Sequence, residues 1–182
     1  MYSALRGSFV DPTKVVSHFH VREGDVFADF GAGSGFYMAP LSRAVGGSGT
    51  VYLCEIQKNL VDALGVKARS ERLTNVRPTW CDFEKQRGTK LQDGILDAGL
   101  LSNVLFQVQN KEVALAEIAR VIKKGGKLFV IDWTDSFGNM GPQPKDIVLE
   151  SHARALVERT GFVVESSFPA GEHHYGLTCR RI

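Results

Sequence analysis

The sequence predicts an α/β fold: a doubly wound, seven-stranded, mostly parallel sheet with helices on both faces and an antiparallel C-terminal hairpin. Three observations carry this. Short apolar runs alternate with helical segments along the chain, the pattern of a parallel sheet wrapped on both sides. A glycine-rich turn, Gly31-Ala32-Gly33-Ser34-Gly35, closes the first of those runs. The last two runs are joined only by Pro169-Ala170-Gly171-Glu172. A parallel crossover needs about a dozen residues or more, so that pair must be antiparallel.

The elements follow in order. Asp11-Pro12 reads as an N-cap with proline at the first helical position, opening a helix to about His20. Val26 to Phe30 is a short buried strand, and a helix from about Phe36 to Val45 follows the glycine turn. Gly46-Gly47-Ser48-Gly49 leads into a second strand, Thr50 to Glu55, and Asn59 to Leu73 forms the next helix. Val76 to Trp80 is a third strand, whose Pro78 suits a sheet edge. Ile95 to Leu101 is the fourth strand. Lys111 to Ile122 is an amphipathic helix, with Val113, Ala116, Ile118, Ala119 and Ile122 tending to one side, and Gly125-Gly126 ends it. Lys127 to Trp133 is the fifth strand, and Pro144 to Thr160 a helix stopped at Gly161. Phe162 to Phe168 and His173 to Arg180 form the hairpin.

The 182 residues suit a single domain, with residues 1–20 as an N-terminal cap segment. Apolar residues make up 43% and charged residues 23%, ordinary for a globular chain. A net charge of +2 gives no general pull toward nucleic acid or anionic membrane, although a local patch could still meet RNA. No apolar run is long enough to span a bilayer, and the start lacks the apolar stretch of a signal peptide. Cys54, Cys81 and Cys179 are scattered and odd in number, which points to reduced thiols and a cytoplasmic location.

The glycine turn is the strongest functional signal. Glycine there lets backbone turn sharply and approach a ligand. Glu55 ends the next strand, where a carboxylate can accept from both hydroxyls of a ribose. Together they point to a nucleoside cofactor. The spacing is G-x-G-x-G, with Phe36 where a dinucleotide fingerprint has its third glycine. Phe36-Tyr37 is a bulky seat for a pyrophosphate at a helix start, whereas an aromatic beside a sulfonium gains cation–π attraction.

These segments resemble the class I S-adenosylmethionine-dependent methyltransferases, of Rossmann-like fold, and most closely the broad type 11 branch. Asp29-Phe30-Gly31-Ala32-Gly33-Ser34-Gly35 resembles their first motif and Val51 to Glu55 their second. Cys81-Asp82-Phe83, Leu101 to Val108 and Ala116 to Ile131 resemble the third, fourth and fifth. The resemblance implies strand order 3-2-1-4-5-7-6 and S-adenosylmethionine as cofactor. It implies that Asp29, Gly31 and Gly33 hold the methionine end, that Gly35 and Tyr37 belong to the cofactor site, and that Glu55 holds the ribose. Asp82 would meet the adenine amino group between Ile56 and Phe83, while Ser102 and Asn103 would line the site near the sulfonium. The alternative for Asp82 is a turn residue, and for Ser102 and Asn103 a strand-end cap. Asn103-Val104-Leu105-Phe106 lacks both prolines of the N-P-P-Y motif, which weighs against an exocyclic-amine acceptor.

Ligands in such sheets sit beyond the carboxyl ends of the parallel strands. Asp132 and Trp133 end the fifth strand there, and the hairpin returns with His173-His174-Tyr175 on the same rim. His174, Tyr175 and Asp132 are thus the candidates for catalysis, against a reading of the hairpin as a plain polar edge. Strand neighbours face opposite ways, so at most one histidine, or His173 with Tyr175, looks into a given pocket. Adjacent histidines diverge and no ligand spacing is present, so no metal site is expected. Met1 to Phe9 and Thr134 to Pro144, with Phe137, Gly138 and Met140, are the material for a lid. The methyl acceptor and a possible homodimer are not fixed by the sequence. A non-catalytic S-adenosylmethionine-binding module and an NAD-dependent oxidoreductase stay open as alternatives.

Overall fold

The computed structural model describes residues 11–136 and 141–182. Its seven-stranded sheet has β1 (Val26–Phe30), β2 (Thr50–Glu55), β3 (Val76–Trp80), β4 (Leu96–Ser102), β5 (Ile122–Trp133), β6 (Phe162–Pro169) and β7 (His174–Arg181). The order is β3-β2-β1-β4-β5-β7-β6, as the resemblance implied. The strands from β3 to β5 pair in parallel, and β7 lies antiparallel to both β5 and β6. Pro78 does fall on an edge strand, where its missing N–H breaks no central ladder.

Helices α1 (Pro12–Ser17), α2 (Met38–Val45) and α3 (Lys58–Ser70) pack on one face, α4 (Lys111–Val121) and α5 (Glu150–Arg159) on the other. Asp11 caps α1 by accepting from the Thr13 and Lys14 N–H groups at 3.0 and 3.3 Å, and Asn110 caps α4 through Val113 N–H at 3.1 Å. The sheet's alternation feeds two cores. Phe129 and Ile131 of β5 point to the α1–α3 side, while Leu128 and Val130 point to the α4–α5 side. Each fully buried Phe or Leu contributes about 1.5–3 kcal/mol.

Several expected boundaries move. The first helix stops at Ser17, and Phe19 beyond it stacks on Phe129 with ring centroids 4.0 Å apart. Val15, Val16 and Phe19 join the core of the α1–α3 face, and residues 1–10 of the expected cap segment lie outside the described residues. The second helix begins at Met38, because the glycine turn runs on past Gly35 at φ +77°. The helix expected over 144–160 is two pieces. A 3-10 turn, Pro144–Asp146, gives way to extended backbone at Ile147, and Val148 buries before α5 starts. β5 begins at Ile122, earlier than expected, with a jump in its pairing to β4 between Leu96 and Ala98.

Candidate active site

The glycine turn is held from three sides. Gly31 and Ala32 N–H both donate to the Cys54 carbonyl, at 2.8 and 3.1 Å. Glu55 Oε2 accepts from Gly33 N–H at 3.0 Å, and its Oε1 accepts from Gln57 N–H at 2.9 Å. Lys67 on α3 donates to the carbonyls of Ser34 and Gly35, both at 3.1 Å, a contact no sequence motif announces. Gly31 must be glycine: a Cβ there would meet Val104 Cγ2 at 2.5 Å, so the segment after β4 packs directly on the turn. A Cβ on Gly33 would meet nothing nearer than the Gly31 carbonyl oxygen, at 4.0 Å, although its φ of +54° favours glycine.

That cleft has a volume of about 620 Å³ and opens beyond the carboxyl ends of β1, β4 and β5. Asp29, the turn from Gly31 to Ser34, Tyr37, Ser102 and Asn103 all line it. Gln107, Val104, Phe36, Trp133 and Gly141 line it as well. Ser102 Oγ donates to Tyr37 Oη at 3.3 Å, and Phe36 sets its ring edge-on to Tyr37 at 5.1 Å.

Asp29 is 3% exposed, and no donor reaches its carboxylate among the described residues. Burial, with the nearby Glu55 charge adding to it, pushes its pKa up to about 7. Burial also pushes Tyr37 up to about 12.

Glu55 lies 5% exposed beneath the turn, with one N–H on each oxygen and lone pairs to spare. The other expected cofactor residues sit past Glu55, toward the β3 edge. Ile56 is 54% exposed, and its carbonyl accepts from Trp80 Nε1 at 2.8 Å. Asp82 uses both oxygens within its own turn: Oδ1 accepts from Glu84 N–H and Oδ2 pairs with Lys85 at 2.9 Å. Phe83 is a core residue packed edge-on against Phe30. Gly35 faces Leu64 rather than the cleft.

The catalytic candidates separate by strand alternation. His174 lies opposite Trp133 on β5 and shares the cleft wall with it, their rings 4.2 Å apart. Asp132 and Tyr175, one residue away on each strand, point to the α4–α5 side and are not among the residues lining the cleft. Asp132 accepts from the Phe106 and Trp133 N–H groups at 3.2 and 2.8 Å, so it clamps the segment after β4. Burial raises its pKa to about 6 against those bonds. His173 pairs with Asp135 at 2.9 Å. Gly141 folds onto the Trp133 ring, where a Cβ would approach to 2.8 Å. The expected lid residues Phe137, Gly138 and Met140, and Met1 to Phe9, lie outside the described residues.

Among the described residues, three buried side-chain atoms have no partner: Asn103 Oδ1 and His174 Nε2 in the cleft, and Tyr175 Oη outside it. Asn103 also holds φ +57°, a left-handed conformation that a non-glycine residue adopts at a cost.

The glycine turn, the strand-end carboxylate and this sheet order define a class I, S-adenosylmethionine-dependent methyltransferase domain. The chain belongs to the methyltransferase-domain family, whose model matches residues 28–130. It is 29% identical over 156 residues to the ubiquinone/menaquinone biosynthesis C-methyltransferase UbiE of Erwinia tasmaniensis, covering 85% of this chain and 59% of that protein. The chain thus spans well under two thirds of that curated relative. A crystal structure of a SAM-dependent methyltransferase from Aquifex aeolicus superposes with TM-score 0.88 at 28% identity, over 96% of this chain and 91% of that one. The geranyl diphosphate C-methyltransferase of Streptomyces coelicolor, solved with S-adenosyl-L-homocysteine, shares the fold at TM-score 0.75 and 14% identity, over 93% of this chain and 78% of that one. No described helix is long and apolar enough to cross a membrane.

Proposed function

We propose that this protein transfers a methyl group from S-adenosylmethionine to an acceptor bound between Asn103, Trp133 and His174. One observation carries the assignment of the cofactor's place: the buried, donorless carboxylate of Asp29 beside Glu55. A protein holds such a group at a cost unless a cation arrives to meet it. The ammonium of a methionine moiety fits that demand. Gly33 offers the open backbone approach, and the free lone pairs of Glu55 suit two ribose hydroxyls. Ile56, Asp82 and Phe83 lie where the adenine would reach, Asp82 only by loosening its own turn.

When bound, S-adenosylmethionine supplies a methyl group activated on a sulfonium. The residues then have three tasks. Asp29 and Glu55 anchor the two ends of the cofactor. Ser102, Tyr37 and Phe36 wall the middle, with the aromatic rings suited to a nearby cation. Asn103 and His174 orient the acceptor, so catalysis rests mainly on proximity and alignment. Buried, unpaired Cys54, Cys81 and Cys179 support a reducing, cytosolic setting.

The test is ligand-induced stabilisation, since a ligand bound only by the native state raises the melting temperature. S-adenosylmethionine and S-adenosylhomocysteine should both raise it and NAD should not. A shift with NAD alone would overturn the reading, and binding without turnover on a broad acceptor panel would reduce the protein to a binding module.

A further inference from the structure

We infer that the acceptor is an uncharged, hydroxyl-bearing molecule held by Asn103 Oδ1 and His174 Nε2, which deepens the proposed function and rests on its placement of the cofactor. Three observations support it. The first is the pair of orphan atoms. Nearly all buried polar groups in native proteins find a partner, so two in one cleft call for a ligand. His174 is only 7% exposed, its ring held against Trp133 at 4.2 Å, so it cannot swing out to water.

The second is the charge of the wall. Among the described residues lining the cleft there is no lysine or arginine, and Asp29 is the sole formal charge. With Asp29 committed to the cofactor's ammonium, nothing remains to neutralise a phosphate or carboxylate. An ammonium acceptor is disfavoured in turn by the sulfonium it would have to approach. Burial, then the neighbouring His173, lowers the pKa of His174, so its imidazole is neutral at pH 7.

The third is the match between donor and acceptor atoms. Asn103 Oδ1 only accepts, whereas His174 Nε2 donates in one tautomer and accepts in the other. A hydroxyl both donates and accepts, so it satisfies either atom in either tautomer. An ether satisfies only one arrangement, and a carboxylate cannot donate to Asn103. β5 lies between β4 and β7, so the backbones bearing the two side chains are about 10 Å apart, at about 4.8 Å per strand. One small molecule spans that distance.

The experiment loads the protein with S-adenosylhomocysteine and measures affinity for simple probes by thermal shift. Phenol, cyclohexanol and hydroquinone should bind, while anisole, methoxycyclohexane and benzoate should not. His174→Phe keeps the ring and removes Nε2, and Asn103→Gly removes Oδ1 where glycine suits the backbone. Each should weaken the hydroxyl probes about threefold to tenfold, the range of one neutral hydrogen bond. His174→Phe should leave S-adenosylhomocysteine affinity unchanged, which separates recognition from general damage. Ethers binding as well as alcohols, benzoate binding, no probe binding, or wild-type behaviour in both variants would each overturn the inference. Failure of S-adenosylhomocysteine itself to bind would bring down the cofactor reading first and this inference with it.

Discussion

Asp29 in the cleft and Glu117 on α4 are each 3% exposed, yet their carboxyls move in opposite directions, up to about 7 and down to about 2. Burial raises both. For Glu117 that rise is outweighed by bonds from Arg120, from Thr89 Oγ1 at 2.6 Å, and from the Arg87 and Thr89 N–H groups at 2.9 and 3.1 Å. Arg120 is in turn paired with Asp93. The difference lies in where the donors come from. Glu117 draws all of its donors from its own chain and fastens the 87–89 segment to α4. Asp29 has none among the described residues, and under the proposed function a ligand would supply them. Equal exposure thus marks a structural carboxylate in one place and, where burial is deeper and donors are missing, a candidate binding carboxylate in the other.

The largest loss of stability from a single substitution should come from breaking the satisfied site. Glu117→Gln leaves Arg120 facing a neutral group and at least one N–H donor without its anion. Breaking a buried ion pair costs about 3–5 kcal/mol, and Arg120 is partly solvated, so about 3 is expected. Urea unfolding measures it. A loss below about 1 kcal/mol would mean that the network is ornamental and the comparison misplaced.

Asp29 should show the opposite linkage. Its folded pKa lies above the unfolded value of 3.8, so the native state holds the proton more tightly. Stability without ligand therefore falls as pH rises from about 4 to 7, and levels off above that. About three units at 1.36 kcal/mol each sets a ceiling of about 4 kcal/mol. Asp29→Asn should flatten that slope between pH 5 and pH 8. S-adenosylhomocysteine should bind wild type more tightly as pH rises through 7, since its ammonium needs the carboxylate. An unchanged pH profile in Asp29→Asn would show that Asp29 does not carry the uncompensated charge.

Glu55 sits between these extremes, half satisfied by Gly33 and Gln57. Glu55→Ala should weaken cofactor affinity by about 2–3 kcal/mol, since bonds to a charged acceptor are each worth about 1.5–3 and add incompletely. Glu55→Asp should keep part of it. Wild-type affinity in calorimetry of Glu55→Ala would limit Glu55 to holding the turn.

The contrast between the two carboxylates also explains what could be read from sequence. The strand and helix segments, the antiparallel hairpin and the glycine turn were legible because short-range patterns encode them, whereas the sheet order and the role of Asp29 came only from the family resemblance. Glu117 was not, since on α4 with Arg120 three residues on it looks like any surface helix pair, and its other donors come from a loop 28 to 30 residues earlier. Lys67 and Gln107 escaped for the same reason, as each reaches the site or its turn by tertiary packing, whereas Gly141 fell in the loop expected to close the site. The candidates on β5 and β7 were sorted only by the side each strand presents. A period-two argument left open which histidine faced inward, and the pairing of Trp133 with His174 resolved it. The helix expected over 144–160 broke because burying Val148 outweighed local helix propensity.

The smallest effect should fall at Asn103, and it tests whether the cleft holds other groups in an unsatisfied state. Two features of this residue cost stability without ligand: a left-handed backbone at φ +57° and a buried Oδ1 with no donor. Asn103→Gly removes both, against roughly 0.5–1 kcal/mol of extra chain entropy in the unfolded state. The Gln107 side chain bonds to the Asn103 backbone carbonyl, so that contact survives. The balance should be a net gain of about 0.5 kcal/mol. Asn103→Ala separates the two contributions. It removes Oδ1 but keeps a Cβ in the left-handed region, so it should be about 1 kcal/mol less stable than the glycine variant. Both should weaken acceptor binding alike, because both lack the oxygen. A glycine variant less stable than wild type would mean that Oδ1 is satisfied in solution, and Asn103 would then belong with Glu117 as a structural residue.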